Sequence, residues 1–410
     1  MPTASARLPL LIAAVALAAT RAAAAPAPAA PAWEASLGAS AGFDSNVYLA
    51  GAGPLADRES GLATLSARLG AKFGPGLAVS YAALATEFWD ETDENNLKHT
   101  LGASWDRKLE HLSWKAATDF ALVDGADRGV DYGSGVGSAF STAAPRERRD
   151  QWQNKTDLAL RHDSAPGFVR AVGKLQYWDM RTAAVNGCNY VDRYDVQGGA
   201  DLGRALTPGG PEAYLGYRRG YQFQDNDFAP ATVTNASNHY DRYLLGVDGS
   251  PVKSLKVAAQ AGWAKHSYNA DYAGSAHEEG LFTDATFTWT ATADDELQFK
   301  TGQARTFSTT GKNSIVSTCH QLSWKHVFDA SWNATLGARL AEAEYAPFRR
   351  DDLSYAALAS LTWNATKTLA CTLSVSQEWG RDNLDDLRGA AEGKREFDRA
   401  FISVGVNWKL

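Results

Sequence analysis

From residue 33 onward, apolar and polar side chains in this chain change places with a period of two, segment after segment. Trp33, Ala35, Leu37, Ala39, Ala41 and Phe43 fall on one face, with Glu34, Ser36, Gly38, Ser40, Gly42 and Asp44 on the other. The next segment sets Leu65, Ala67, Leu69, Ala71 and Phe73 against Thr64, Ser66, Arg68, Gly70 and Lys72. Period two belongs to β-strands with one apolar and one polar face. Segments of about ten residues repeat this pattern. Eighteen strand starts are expected, near Trp33, Leu62, Leu77, Leu97, Leu112, Trp152, Val169, Tyr194, Ala213, His239, Val257, Leu281, Leu297, Ile315, Trp332, Leu353, Leu369 and Ala400.

So many strands need a way to bury or pair their edges. A soluble sandwich would fill both inner faces with large branched residues. Here much of the apolar face is Ala, and aromatics gather at segment ends. A propeller or β-helix would repeat at a fixed period with matching motifs; only "SWNATL" at 331–336 and "TWNATK" at 362–367 echo each other. In lipid every backbone N–H and C=O must be paired within the protein, so a spanning sheet must close. The expected fold is all-β: a closed antiparallel transmembrane β-barrel of about 18 strands, with 16–18 compatible with the pattern.

The connections have two sides. After even-numbered segments they are tight, as at Gly74-Pro75-Gly76 and from Ala365 to Thr368; after odd-numbered ones most are longer and polar, as from Asp44 to Glu59 and from Asp124 to Asp150. Outer-membrane barrels have this asymmetry, with short periplasmic turns and longer extracellular loops. Trp33, Trp105, Trp114, Trp289, Trp324, Trp332, Trp363 and Trp408 fall at the short-turn end. Phe43, Phe88, Tyr177, Tyr221, Phe307, Tyr345 and Trp379 are assigned to the other end. Two aromatic girdles flanking an Ala/Leu/Val band are what a bilayer selects.

The chain before the strands reads as an export signal. Arg7 precedes an apolar run from Leu8 to Ala19, and Ala23-Ala24-Ala25 supplies small residues for cleavage before Pro26. The expected organisation is a signal peptide over 1–25, an Ala/Pro-rich segment over 26–32 and the barrel over 33–410. Three Cys in 410 residues, at 188, 319 and 371, specify neither a disulfide framework nor zinc spacing. A net charge of −7 argues against nucleic acid as partner.

Two short stretches carry a family resemblance. "GFDSNVY" at 42–48 resembles the "GYDSN" or "GYDDN" start of β-barrel porin and surface-lipoprotein-modifier-like families, and the porin side is favoured because no helical-repeat domain precedes the barrel. The last strand, with Ala400, Ile402, Val404, Val406, Trp408 and Leu410 on one face, resembles the recognition strand of bacterial outer-membrane proteins. That family usually ends in Phe or Trp; this chain ends in Leu410, with Trp408 two residues earlier. The resemblance implies a bacterial outer-membrane location and recognition by barrel-assembly machinery through the last strand. Outer-membrane lipid and lipopolysaccharide would surround it, and an oligomer is compatible with it. Asp44-Ser45-Asn46 is read as the start of the first extracellular loop, since such side chains bond their own backbone in turns.

The chemistry expected of such a chain lies in its lumen. Inward-facing Glu34, Arg68, Lys72, Lys98, Lys115, Asp119, Lys155, Asp157, Arg161, Arg170 and Lys174 are candidate pore-lining residues, with Asp106, Asp195 and Asp201 beside them. Rings of charge set ion selectivity, and the basic excess on strands two to seven leans toward anions. The longest loop sets Asp124, Asp127 and Asp131 against Arg146, Arg148 and Arg149, a candidate constriction loop by analogy with porins. Arg219 and Arg305 fall on the apolar side of their strands, toward the long-loop end, where an interfacial position would accommodate them. The eight His are scattered, and no HExxH or GxSxG pattern occurs. No catalytic residue, metal site or cofactor is expected. The function expected is passive diffusion of small hydrophilic solutes or ions. The alternative is a non-conducting barrel with a structural, surface-export or partner-binding role.

Overall fold

A computed structural model of the chain describes residues 32–49, 57–125, 150–181, 192–225, 236–269, 275–307, 314–346, 350–383 and 396–410. They form eighteen strands: β1 (Ala32–Asp44), β2 (Ser60–Phe73), β3 (Leu77–Phe88), β4 (Asn96–Lys108), β5 (Leu112–Asp124), β6 (Gln151–Ser164), β7 (Gly167–Met180), β8 (Asp192–Ala205), β9 (Glu212–Asp225), β10 (Asn238–Val252), β11 (Leu255–Tyr268), β12 (His277–Thr290), β13 (Asp295–Phe307), β14 (Ser314–Val327), β15 (Trp332–Ala346), β16 (Arg350–Asn364), β17 (Leu369–Asp382) and β18 (Phe397–Lys409). Every strand pairs antiparallel with its chain neighbours, and β1 pairs with β18, so the sheet closes on itself. The fold is the closed 18-stranded antiparallel barrel that the alternation demands. No described helix is long and apolar enough to cross a membrane.

Register fixes the faces. Leu37 stands opposite Trp408 on β18 and Ala67 on β2, so these outward positions continue one apolar surface around the seam. Leu65, Leu202, Leu215, Tyr243, Leu245 and Val404 are all more than half exposed on that surface, as lipid-facing side chains must be. The girdle at the short-turn end is built of contacting pairs. Trp105 meets Trp114 edge-on at 5.1 Å, Trp332 stacks on Trp363 at 6.0 Å, and Trp33 meets Phe73 at 6.2 Å between ring centres.

At the opposite end two girdle assignments are corrected. Phe88 stands opposite Leu62 on the inward face and is 5% exposed; Tyr345 stands opposite Ile315, also inward, and is 2% exposed. Each packs into a small cluster on the lumen side, Phe88 with Val47, Tyr48 and Leu62, Tyr345 with Ile315 and Ala343. In a strand, face outranks position along the chain. An aromatic at a strand's end is interfacial only if its parity is outward.

Tight turns need backbone that ordinary residues resist. Gly76 has φ +89°, and a side chain there would run into the Asp106 carbonyl. Inside the wall, glycine serves a different purpose. Tyr240 stands opposite Gly220, and Tyr214 opposite Gly246; at either glycine a Cβ would lie 2.1 Å from the ring. Each ring therefore lies flat across its neighbour strand, covering bare backbone.

The lipid face gives a first expected result. Val375 faces outward between the level of Leu369 and that of Trp379 and is 45% exposed. Val375→Arg should cost about 2–4 kcal/mol, the charge of a midplane arginine in a barrel. Urea unfolding of the refolded barrel in lipid vesicles measures it; a cost near zero would put Val375 outside the bilayer.

Candidate functional site

The lumen divides into two regions by burial. On strands β2 and β5–β7 a group of inward charged side chains stands in the open. Arg68, Lys72, Lys115, Asp119, Lys155, Asp157 and Lys174 are all exposed on the inward face, with Lys98 half-buried. Cross-strand register places Asp119 opposite Lys155 and Asp157 opposite Lys174. Lys72 bonds Glu34 at 2.7 Å, and Lys115 approaches Asp106 at 3.6 Å. Exposed pairs of this kind contribute little to stability. Among the described residues Arg68, Lys155 and Lys174 have no hydrogen-bond or ion-pair partner, so their charge is offered to the lumen. All eleven candidate lining residues lie on the inward parity, which fits the lining role assigned to them.

Two of them do something more. Arg161 is clamped between Asp163 at 2.7 Å and Glu212 at 2.6 Å, and its guanidinium lies 3.9 Å over the Phe168 ring. Arg170 bonds Asp201 at 2.8 Å, and Arg218 reaches the other oxygen of the same carboxylate at 2.6 Å. Asp201 is fully buried, and its one carboxylate bridges the two arginines. Along the wall Tyr240 donates to Asp195 at 2.7 Å and carries the Arg242 guanidinium 4.3 Å above its ring. This belt from β6 to β10 is a wall of paired charge. Its desolvated arginines are held by carboxylates and aromatic faces rather than presented to solute.

At the loop end the opening motif takes an unexpected place. Instead of running outward as a surface loop, residues after Asp44 turn into the barrel. Asp44, Asn46, Val47 and Tyr48 are all less than a tenth exposed. Asp44 accepts from Arg399 of β18 through both carboxylate oxygens, at 2.9 and 2.5 Å. Its Oδ1 also accepts the Asn46 backbone N–H at 3.1 Å, an Asx turn as the residue types predict, but pointing inward. Asn46 donates to the Asp398 carbonyl at 3.1 Å, and Ser45 donates backbone N–H to the Ala400 carbonyl at 2.9 Å. Tyr48 packs with Val47, Leu62 and Phe88, with Phe401 against the group, and its hydroxyl donates to Glu91 at 3.0 Å. Arg58 donates to the same Glu91 at 2.6 Å. The segment thus narrows the lumen's loop end beside the β1–β18 seam.

The charge continues past Arg399. Glu378 of β17 lies 3.7 Å from Arg399 and accepts from Arg339 of β15 at 2.8 Å. Ala356 of β16 stands between Arg339 and Glu378 in register, and its small side chain lets the arginine reach across a strand. The result is an alternating row, Arg339, Glu378, Arg399, Asp44, with each member at most 10% exposed at its side chain. Sequence reading missed this row. Its only local signal is inward parity at positions 339, 378 and 399, and parity does not say which charges will meet.

The candidate constriction loop is only touched by the structure. Asp124 closes β5 on the outward parity, opposite Leu97, so it does not face the lumen. Asp127, Asp131, Arg146, Arg148 and Arg149 lie outside the described residues. Arg219 is outward and 67% exposed, 3.8 Å from Asp241, as an interfacial arginine would be. Arg305 departs from the interfacial expectation. It is 14% exposed and bonds Glu278, an inward residue of the neighbouring strand, at 2.5 Å.

Comparison with known proteins finds a family likeness over part of the chain. Residues 246–409 match the family model described as "Putative beta-barrel porin 2". The match runs from mid-β10 to the end of β18, so it contains the terminal strand on which the porin resemblance partly rests, and not the opening motif. No curated protein matches the sequence. Among solved structures, Pseudomonas aeruginosa OpdK with vanillate shares 9% identity, over 92% of this chain and 99% of that one, at a TM-score of 0.47. A mutant of the ferric enterobactin receptor PfeA from the same organism shares 10%, over 92% and 80%, at 0.44. The FrpB iron transporter from Neisseria meningitidis shares 9%, over 92% and 81%, at 0.43. Within the porin-family span lie Glu278, Arg305, Arg339, Glu378 and Arg399, that is, three of the four members of the charge row.

Proposed function

We propose that this barrel sits in a bacterial outer membrane, after cleavage of its export signal, and conducts small hydrophilic solutes or ions by diffusion. The observation that carries the reading is the open, charged wall of β2 and β5–β7, where Arg68, Lys155 and Lys174 project inward unpaired. A lumen meant only to be filled would tie up these cations, as it does on β6–β10. Eighteen strands enclose more space than side chains alone can fill. The exposed cations exceed the exposed anions on this wall, which favours anions in passage. The inward-packed segment after β1 sets the narrow point. A second reading, a non-conducting barrel that binds a partner, draws on the same packing: Tyr48, Tyr240 and Asn238 are all buried toward the loop end.

Single-channel recording of the refolded barrel in a planar bilayer, under a salt gradient, decides between them. Discrete conductance steps with a reversal potential of the anion-selective sign are expected. Silence from protein shown to be folded would overturn the channel reading and leave the closed barrel.

A further inference from the structure

The tryptophans of the short-turn girdle stand on β1, β4, β5, β12, β14, β15, β16 and β18. From β6 to β11 that end of the wall has none. Two other aromatics do stand there, Phe168 and Tyr214, but both are buried on the inward face, where arginines lie over their rings. The outer face of this sector therefore lacks the amphipathic rings that hold the rest of a barrel at headgroup level.

A hollow takes their place. Outward Val169, Leu202, Leu215 and Leu245 stand opposite one another across β7–β10, each at least half exposed. On the turn side of that row the outward positions shrink to Gly167 and Ala213. The row and the β6–β7 turn border a cavity of about 420 Å³. Arg204 borders it as well. This arginine is outward by parity, opposite Ala213, and exposed. Among the described residues it has no hydrogen-bond or ion-pair partner. The carboxylates across the sheet, Asp201 and Glu212, are engaged by Arg170, Arg218 and Arg161. Outward positions in the short-turn halves of β7–β10 hold no acid, and the β8–β9 turn, Leu206 to Pro211, holds no charge. An uncompensated cation thus stands at the turn end of an apolar hollow.

We propose that this hollow holds one anionic phospholipid from the leaflet at the short-turn end. An acyl chain lies along Val169, Leu202, Leu215 and Leu245, and the phosphate sits on Arg204. A guanidinium meets phosphate oxygens through two parallel N–H donors, so Arg204 supplies both charge and orientation. The charge of the sector selects the headgroup. A choline headgroup would bring a second cation beside Arg204, and neither a carboxylate nor an outward aromatic face is there to receive it. The site rests on the reading that places the barrel in a membrane, and not on its conducting.

Native mass spectrometry of the refolded full chain tests it, after titration in detergent with phosphatidylglycerol or with phosphatidylcholine of the same chains. One phosphatidylglycerol should be retained, at least tenfold more tightly than phosphatidylcholine. Arg204→Gln should weaken that retention at least tenfold. Ala213→Phe should do the same by filling the hollow from the outer face. Arg219→Gln, which removes an outward arginine elsewhere on β9, should leave it unchanged. All three variants must keep the heat-dependent gel shift of a folded barrel. Equal retention of the two lipids, indifference to both Arg204→Gln and Ala213→Phe, an equal loss in Arg219→Gln, or a lipid-free mass of two chains would overturn the proposal. Flotation with vesicles tests the membrane reading by itself. A barrel that stays out of vesicles overturns that reading and the site with it, whereas one that floats but shows no lipid preference overturns the site alone.

Discussion

Arg399→Ala lowers the stability of the refolded barrel by about 3–5 kcal/mol, the cost of removing one partner from a buried ion pair. The expectation follows from what the truncation leaves behind. Asp44 is fully buried and takes both oxygens' bonds from Arg399; Glu378, at 3.7 Å, loses its second cation. Two carboxylates would remain out of water, with Arg339 beside Glu378 alone. Arg399→Lys restores charge but not the planar fork that meets both Asp44 oxygens, so it recovers only part of the loss. Urea unfolding followed by the heat-dependent gel shift reads the difference. A variant as stable as the parent would show that the inward fold of the first loop is held by the Val47 and Tyr48 packing alone.

Reversing the three unpaired lumen cations, with Arg68→Glu, Lys155→Glu and Lys174→Glu together, inverts the ion preference of the channel. Each change moves the wall by two charges, six in all, against a described surplus that is small. The reversal potential under a salt gradient should change sign. The effect should be strong near 0.1 M salt, where the screening length is about 10 Å, and fade near 1 M, where it is about 3 Å. Single replacements should fall between, in graded steps. A preference unmoved by the triple change would place the selectivity elsewhere, most directly at the narrowed loop end. Because these three side chains bond to nothing among the described residues, stability is expected to hold.

The barrel itself was legible from sequence because its cause is local. Period two needs no knowledge of distant residues, and all eighteen strands begin within four residues of the positions that alternation gives, Leu281 against His277 being the widest gap. Parity likewise put every candidate lining residue on the inward face. What stayed hidden depends on partners far along the chain. Asp44 reads as a turn residue until β18 brings Arg399 to it, 355 positions away. Phe88 and Tyr345 read as interfacial from their place at strand ends, whereas the alternation within their own strands already turned them inward. Arg305 looked misplaced on an apolar face; the cause is the β12–β13 ladder, which stops at Thr283 opposite Gln303 although both strands continue, and no composition signals that.

The pairing of Asp44 with Arg399 also has a meaning in time. Whatever order the strands assemble in, these two residues can meet only once the last strand has been laid beside the first. The contact closes a loop of 355 residues, an entropic charge of roughly 5 kcal/mol by chain statistics, offset only when the seam zips completely. Until then β1 keeps an open edge, and the first loop lacks the partner that folds it inward. A chain stalled short of β18 would display a bare strand edge and a loose, cleavable first loop together. The inward fold of that loop is thus a molecular record that assembly has finished.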